Sequence, residues 1–452
     1  MYEKEKVFIV FRCFDVIVGI SLKKKSFLLS LVVLMLLLVS CSKTGSSKDS
    51  SKGGSGKEEQ ILAWSPDVAP QEKEAILASV NSFNEKNKGK AKVTLEFIPR
   101  GNGYDYENKL NTAISSGKAP DVIAIDGPTT AAYANLNILA PIDEYVTAEE
   151  KAMYVPSIIQ QGSYNNKLYA LGAMESSVVL YYNKDMLKKA GIEEPSQDIN
   201  NAWTWEDVYQ AAKKLNKDGV KGINLSWDLG EGQIYGFAPI IWSNGGDLLN
   251  PEGTKAEGVL NSPQNIDALK YLQKFATEGL MSLQTAPDDF GNGKSAMYLM
   301  GVWEIANLKK NFPKLNWGLT YYPASPKTKK VVSPSGSWAW GITATSKHKE
   351  FAAAVVKEIT GKEGSKRYSM ANSMPPSRID VFAEMKEYDS YPFNIIKEQV
   401  TKSAHPRNVS VSYPVLSAEF AKATQDIMKG ADIKEVLDRS AKKFDQEAER
   451  NK

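Results

Sequence analysis

The alternation of hydrophobic period between Ile61 and Ile125 restricts the fold more than any other feature of the chain. Ile61-Leu62-Ala63-Trp64 is a continuous apolar run, Ile76, Leu77, Val80 and Phe83 recur at helical spacing, and Val93, Leu95 and Phe97 alternate. Tyr104 to Ser116 reads as a second helix closed by Gly117, and Asp121 to Ile125 as another buried strand entered through Pro120. Strand, helix, strand, helix, strand at this spacing predicts a βαβ arrangement around a parallel sheet. Ligands of such sheets bind beyond the carboxyl ends of the strands, where Trp64 and Asp126 stand.

The pattern continues downstream. Val178 to Tyr182 reads as a strand, and Asp185 is expected to cap the helix that follows it. Thr204-Trp205-Glu206-Asp207 has the form of a capping box opening a helix to about Leu215. Trp338 to Ile342 reads as a strand, and Phe351 to Thr360 and Ile433 to Ala448 as helices. A chain of 452 residues with 42% hydrophobic side chains exceeds what one core usually holds, so two domains are expected.

The first 58 residues obey different rules. Lys23, Lys24 and Lys25 precede an apolar run from Phe27 to Val39 of about 13 residues, too short for the roughly 20 of a membrane-spanning helix. A basic segment, a short apolar segment and small residues at its end predict a signal peptide over residues 1–40. Leu38-Val39-Ser40-Cys41 resembles the lipobox of bacterial lipoproteins, which implies cleavage before Cys41 and lipidation of its sulfur, with palmitate among the acyl chains. Residues 41–58, rich in Ser, Gly and Lys, then read as a flexible tether. Two acyl chains hold a protein on a bilayer where one does not. Removing residues 1–40 takes away Cys13, six basic and three acidic side chains, leaving 50 of each sign. Near-neutral charge argues against a nucleic-acid partner, and one remaining cysteine permits neither an internal disulfide nor a cysteine metal site.

Five stretches in order resemble the extracellular solute-binding proteins of ABC importers, of the maltose-binding type. They are SGKAPDVIAID, LYYNKDMLKKAGIEEP with WTWEDVYQAAKKL, WSNGGDLL, GKSAMYLMGVW and GSWAWGITATSKHKEFAAAVVKEI. The resemblance implies an α/β, two-lobed periplasmic-binding-protein-like fold with a hinge and an interlobe cleft. It implies lobe 1 over 59–126 and 333–374 and lobe 2 over 127–332 and 375–452, with crossings near Asp126, Ser333 and Met374. Pro406-Arg407 departs from the family's C-terminal element, so no ligand role is expected of that segment. The implied function is capture of a mono- or oligosaccharide for delivery to ABC permease subunits. The expected form is a monomer, anchored through acylated Cys41 and facing the periplasm or cell exterior.

Candidate ligand residues follow from sugar chemistry. Flat rings stack on sugar C–H faces while polar groups take the hydroxyls. Of nine tryptophans, Trp64, Trp227, Trp242, Trp303 and Trp338 are candidates, and Trp203, Trp205, Trp317 and Trp340 are expected to pack or cover. Trp303 follows Gly301 and resembles the family's Gly-X-Trp cleft aromatic, and Gly336 before Trp338 lets backbone approach a ligand. The resemblance also implies Asp67, Asp126 and Glu175 as acceptors from sugar hydroxyls. No enzyme, cofactor or metal is expected: His348 and His405 are the only histidines and lack an HExxH context, and neither a P-loop nor a GxGxxG after a strand appears. A glycosidase built on Asp126 and Glu175 remains the alternative from another class. A glycerol-phosphate ester or a cationic solute remains the alternative ligand.

Overall fold

A computed structural model describes residues 57–100, 104–284 and 287–450. The expected signal peptide, Cys41 and the tether up to residue 56 lie outside the described residues. Among the described residues, no helix is long and apolar enough to cross a membrane.

The strands are β1 (Glu59–Pro66), β2 (Ala91–Ile98), β3 (Val122–Asp126), β4 (Leu139–Ala140), β5 (Ser163–Tyr164), β6 (Lys167–Leu168) and β7 (Ala170–Gly172). They continue with β8 (Val178–Asn183), β9 (Met297–Gly301), β10 (Trp317–Thr320), β11 (Ser333–Ser335), β12 (Trp338–Thr343) and β13 (Ala404–Pro406). The first sheet runs β2-β1-β3-β12-β4, with β7 also on β12. Its β2-β1-β3 part is parallel, as the period pattern predicts. β12 enters antiparallel to β3, so the sheet is mixed.

Strand alternation divides the side chains between two covers. Ile61, Ala63, Val122 and Ala124 pack with Ile76, Val80 and Phe83 of the helix Pro70–Lys86. Trp64, Ile123 and Ile125 turn the other way, against Tyr106 and Leu110 of the helix Asp105–Ser115. The second sheet is β10-β8-β9, fully antiparallel, with every residue of β8 buried. Trp205 anchors its helical cover, edge-on to Phe275 and Tyr322 at 6.0 and 5.7 Å. The helix Trp205–Leu215 opens on the expected capping box, with reciprocal bonds between Thr204 and Asp207.

Three expectations are corrected. The chain does not leave the first sheet near Asp126: β4 and β7 both bond to β12 in that sheet, so the change of sheet falls between Gly172 and Val178. The crossing expected near Met374 comes later, because Ser377 and Arg378 still pair with Val155 and Tyr154, whereas Tyr391 bonds to Leu319 of β10. The second crossing falls between β11 and β12, close to the expected Ser333. Asp185 does not cap its helix. Asn183 does, accepting the Met186 amide, and Asp185 instead accepts from Asn316.

Candidate functional site

A cleft of about 780 Å³ lies between the two sheets, over the segments that cross from one to the other. The first-sheet side presents Asp67 just beyond β1, Asp126 at the end of β3, Trp338 at the start of β12, and Asn372. The second-sheet side presents Trp227, Asp228, Glu231, Tyr235, Trp303 and Glu304. Met174, Ser176 and Gly336 of the crossings form its floor.

Six of the nine residues expected from the sequence line this cleft: Asp67, Asp126, Trp227, Trp303, Gly336 and Trp338. Trp64, Glu175 and Trp242 are not among its lining residues. Trp64 lies inside β1 rather than beyond it, and strand alternation turns it into the core under the helix Asp105–Ser115, with the Lys109 ammonium 5.0 Å from its ring. Trp242 ends the helix Glu231–Ser243 and stacks on His405 at 4.2 Å. Glu175 is fully buried beneath the floor, accepting from the Gly336 amide at 2.7 Å, the Ser176 amide at 2.8 Å and the Ser157 hydroxyl. Burial raises its pKa.

Three rings build one wall. Trp227 stands edge-on to Tyr235 at 5.9 Å and to Trp303 at 6.3 Å, and Tyr235 lies 6.0 Å from Trp303. Gly236 makes this possible, since a Cβ there would sit 2.5 Å from the Trp227 ring. Trp227 and Tyr235 are buried, whereas Trp303 keeps 39% of its surface exposed, an open platform supported from behind. Across the cleft, Arg100 covers Trp338 at 5.1 Å. Tyr235 was not singled out in the sequence. Its spacing of four from Glu231 on one helix was the available signal.

The floor is ionic. Arg407, its side chain only 3% exposed, holds both oxygens of Asp126 at 2.9 and 2.6 Å and also contacts Glu231. Tyr413 and Ser417 donate to the same Glu231 carboxylate. The segment expected to have no place at the ligand site therefore supplies its most buried cation, because β13 pairs with β11 and delivers residue 407 to the crossing. A planar guanidinium suits this fork of two carboxylates. Asp126 is thus paired to Arg407 through both oxygens, and Glu175 is sealed below the floor, so the two do not form the open pair of cleft carboxyls that glycoside cleavage requires. Among the described residues, no cluster of His, Cys, Asp or Glu is arranged to hold a metal ion.

Glu304 lies in the cleft wall, 8% exposed, accepting from Asn307 at 2.8 Å. Burial pushes its carboxyl up to about 7. A carboxyl with a raised pKa favours the folded state while protonated, and that contribution is lost as pH rises from its unfolded value of 4.5 towards 7. Glu304→Gln should therefore match the parent in Tm near pH 4.5 and gain on it steadily up to pH 8. Parallel Tm curves across that range would contradict the burial argument.

Residues 67–366 match the family model described as bacterial extracellular solute-binding protein. The chain belongs to this family. It is 24% identical over 369 residues to the galactooligosaccharide-binding protein of Bacillus subtilis (strain 168), covering 78% of this chain and 80% of that one. It is 27% identical over 227 residues to a Brucella abortus (strain 2308) chain named only as a binding protein, of whose length the match spans 53%. Two solved structures share the fold. An ABC substrate-binding protein from Listeria monocytogenes in complex with cycloalternan has TM-score 0.74 and 24% identity, over 86% of this chain and 99% of that one. A solute-binding protein from Thermotoga lettingae bound with alpha-D-tagatose has TM-score 0.75 and 23% identity, over 86% and 100%. The two-lobed architecture expected from the sequence is the architecture of this solute-binding family.

Proposed function

We propose that this solute-binding protein captures a mono- or oligosaccharide in the cleft and delivers it to the permease of an ABC importer. The observation that carries the reading is the wall of Trp227, Tyr235 and Trp303, whose outer ring Trp303 is part-exposed and faces polar groups across a cleft of about 780 Å³. Such a volume suits a small ligand, and aromatic faces with a few placed polar groups are how protein sites hold sugars. The named relatives support it: the Bacillus subtilis protein is a galactooligosaccharide-binding protein, and the two structures hold cycloalternan and tagatose.

The chemistry is recognition. Each lobe carries part of the site, and a ligand touching both favours the closed arrangement by its differential affinity for it. The Asp126–Arg407 pair joins the end of β3 to the segment after β13, which would give closure a polar contact of its own at the cleft floor. Acylation of Cys41 would hold the receptor at the outer face of the membrane, with residues 42–58 as slack for reaching the permease.

Titration calorimetry of the purified chain against a panel of mono- to tetrasaccharides tests the reading, with chromatography of the same mixtures to detect cleavage. Binding of an unchanged sugar is the expected result. No heat with any sugar, or appearance of cleavage products, would end the proposal. Trp303→Ala should weaken the sugar that binds by about 10- to 100-fold, corresponding to roughly 1.4–2.8 kcal/mol, and should also lower Tm, because the covered part of the ring packs on Trp227 and Tyr235.

A further inference from the structure

Asn372 is the last residue of the helix Lys362–Asn372, and the left-handed Ser373 that follows (φ 58°) turns the chain away towards the cleft residue Met374. It lines the cleft yet is only 4% exposed. Its side-chain amide nitrogen is buried without a hydrogen-bond partner among the described residues. A buried unpaired donor is costly and uncommon, and the cost falls away when an acceptor arrives.

The surroundings fix what can arrive. One turn back on the same helix, Tyr368 donates to Glu72 at 2.7 Å, and Glu72 also takes the Ala69 amide at 3.2 Å. Glu72 lines the cleft as well, so this carboxylate is already engaged while the Asn372 amide nitrogen is not. Among the described cleft-lining residues, the other unpartnered buried atoms are Arg100 Nε, Arg407 Nε and Trp227 Nε1, and the Arg100 guanidinium lies over the Trp338 ring. The Arg407 Nε belongs to a guanidinium already shared by two carboxylates, and the Trp227 ring is pressed against Gly236.

We propose that Asn372 is a specificity-determining contact, donating from its side-chain amide to an uncharged oxygen of the bound carbohydrate, a hydroxyl or ring oxygen, and disfavouring a ligand that places an ammonium group there. This rests on the carbohydrate reading above and names which residue on the first-sheet side reads the sugar. A protonated amine would set donor against donor at this position.

The test takes the sugar giving the largest thermal shift in the panel, together with its singly deoxygenated and amino-substituted analogues. Asn372→Ala should bind the parent sugar about tenfold more weakly, the effect of one neutral hydrogen bond. The Tm of the ligand-free protein should not fall, since the deleted donor has no partner to lose. One deoxy analogue should lose the same factor on the parent protein and nothing further on Asn372→Ala. Affinity of Asn372→Ala within twofold of the parent protein for every analogue overturns the proposal, and so does a lowered ligand-free Tm with the deoxy ranking intact, which marks a purely structural amide. If the alanine variant does not fold, Asn372→Asp, which keeps the shape and exchanges donor for acceptor, is held to the same two outcomes. Absence of binding by the parent protein to any sugar is a separate result, which removes the carbohydrate reading and this inference with it.

Discussion

Arg407→Met is expected to destabilise the fold by about 3–5 kcal/mol, the scale for removing one partner of a buried ion pair. The methionine fills similar space, so the loss is electrostatic. Asp126 and Glu231 would face each other across a buried floor with their shared cation gone. Burial already raises the Glu231 pKa, and the neighbouring Asp126 charge acts in the same direction. In the variant the Glu231 carboxyl, without its cation, should be pushed up further. Carboxyls raised in the fold stabilise it only while protonated, so the deficit should be smallest near pH 4.5 and grow towards neutrality. Urea unfolding at several pH values measures this. Adding Asp126→Asn and Glu231→Gln to Arg407→Met should restore much of the loss, because neutral amides need no buried counter-charge. Strong non-additivity is the signature of a network, and simple addition of the three effects would mean that the residues do not act together. Ligand affinity should fall as well, since the pair lies at the cleft floor.

Glu175→Ala should cost about 2–6 kcal/mol, from two orphaned backbone amides at roughly 1–3 kcal/mol each. The Gly336 and Ser176 amides belong to two different crossing segments, and one buried carboxylate accepts from both. Gly336 cannot easily be replaced to compensate: its φ is 152°, and a Cβ would sit 2.9 Å from both the Arg407 guanidinium and the Gln161 amide oxygen. The alanine variant should therefore lose Tm and also speed the hydrogen exchange of those two amides beyond that of the sheet interiors. Both amides donate to the same oxygen, Oε1, so Glu175→Gln, which keeps one carbonyl acceptor there, should recover most of the loss. Unchanged exchange at residues 176 and 336 would show that the carboxylate does not fasten the hinge.

These two predictions concern residues that sequence reasoning placed wrongly, and the reasons are instructive. Glu175 was expected to touch ligand because acids precede a strand in this family. It faces the cleft floor from below, a matter of which side of the crossing between Gly172 and Val178 it occupies. Arg407 was set aside because its local motif departs from the family pattern. Nothing within ten residues of it announces Asp126 or Glu231, which are 281 and 176 positions away. Trp64 and Trp242 show the same limit for aromatic rings. Composition marks a tryptophan as a candidate, but one turn of a strand or the end of a helix decides whether it meets solvent or core.

The sequence by itself determined the elements and their type. Hydrophobic period separated strands from helices over residues 59–126, the Thr204–Asp207 capping box located a helix start, and the ordered family blocks implied two lobes with a cleft. These are local signals, written in spacings of two, three and four residues, and they survive without knowledge of the partner surface. Only the tertiary structure decided where the chain changes sheet, which carboxylates are already paired, and that the Asn372 amide nitrogen is buried beside the cleft without a partner among the described residues. Each of those depends on residues far apart in the chain converging at the hinge, and hydrogen-bond satisfaction is a property of that convergence rather than of any segment.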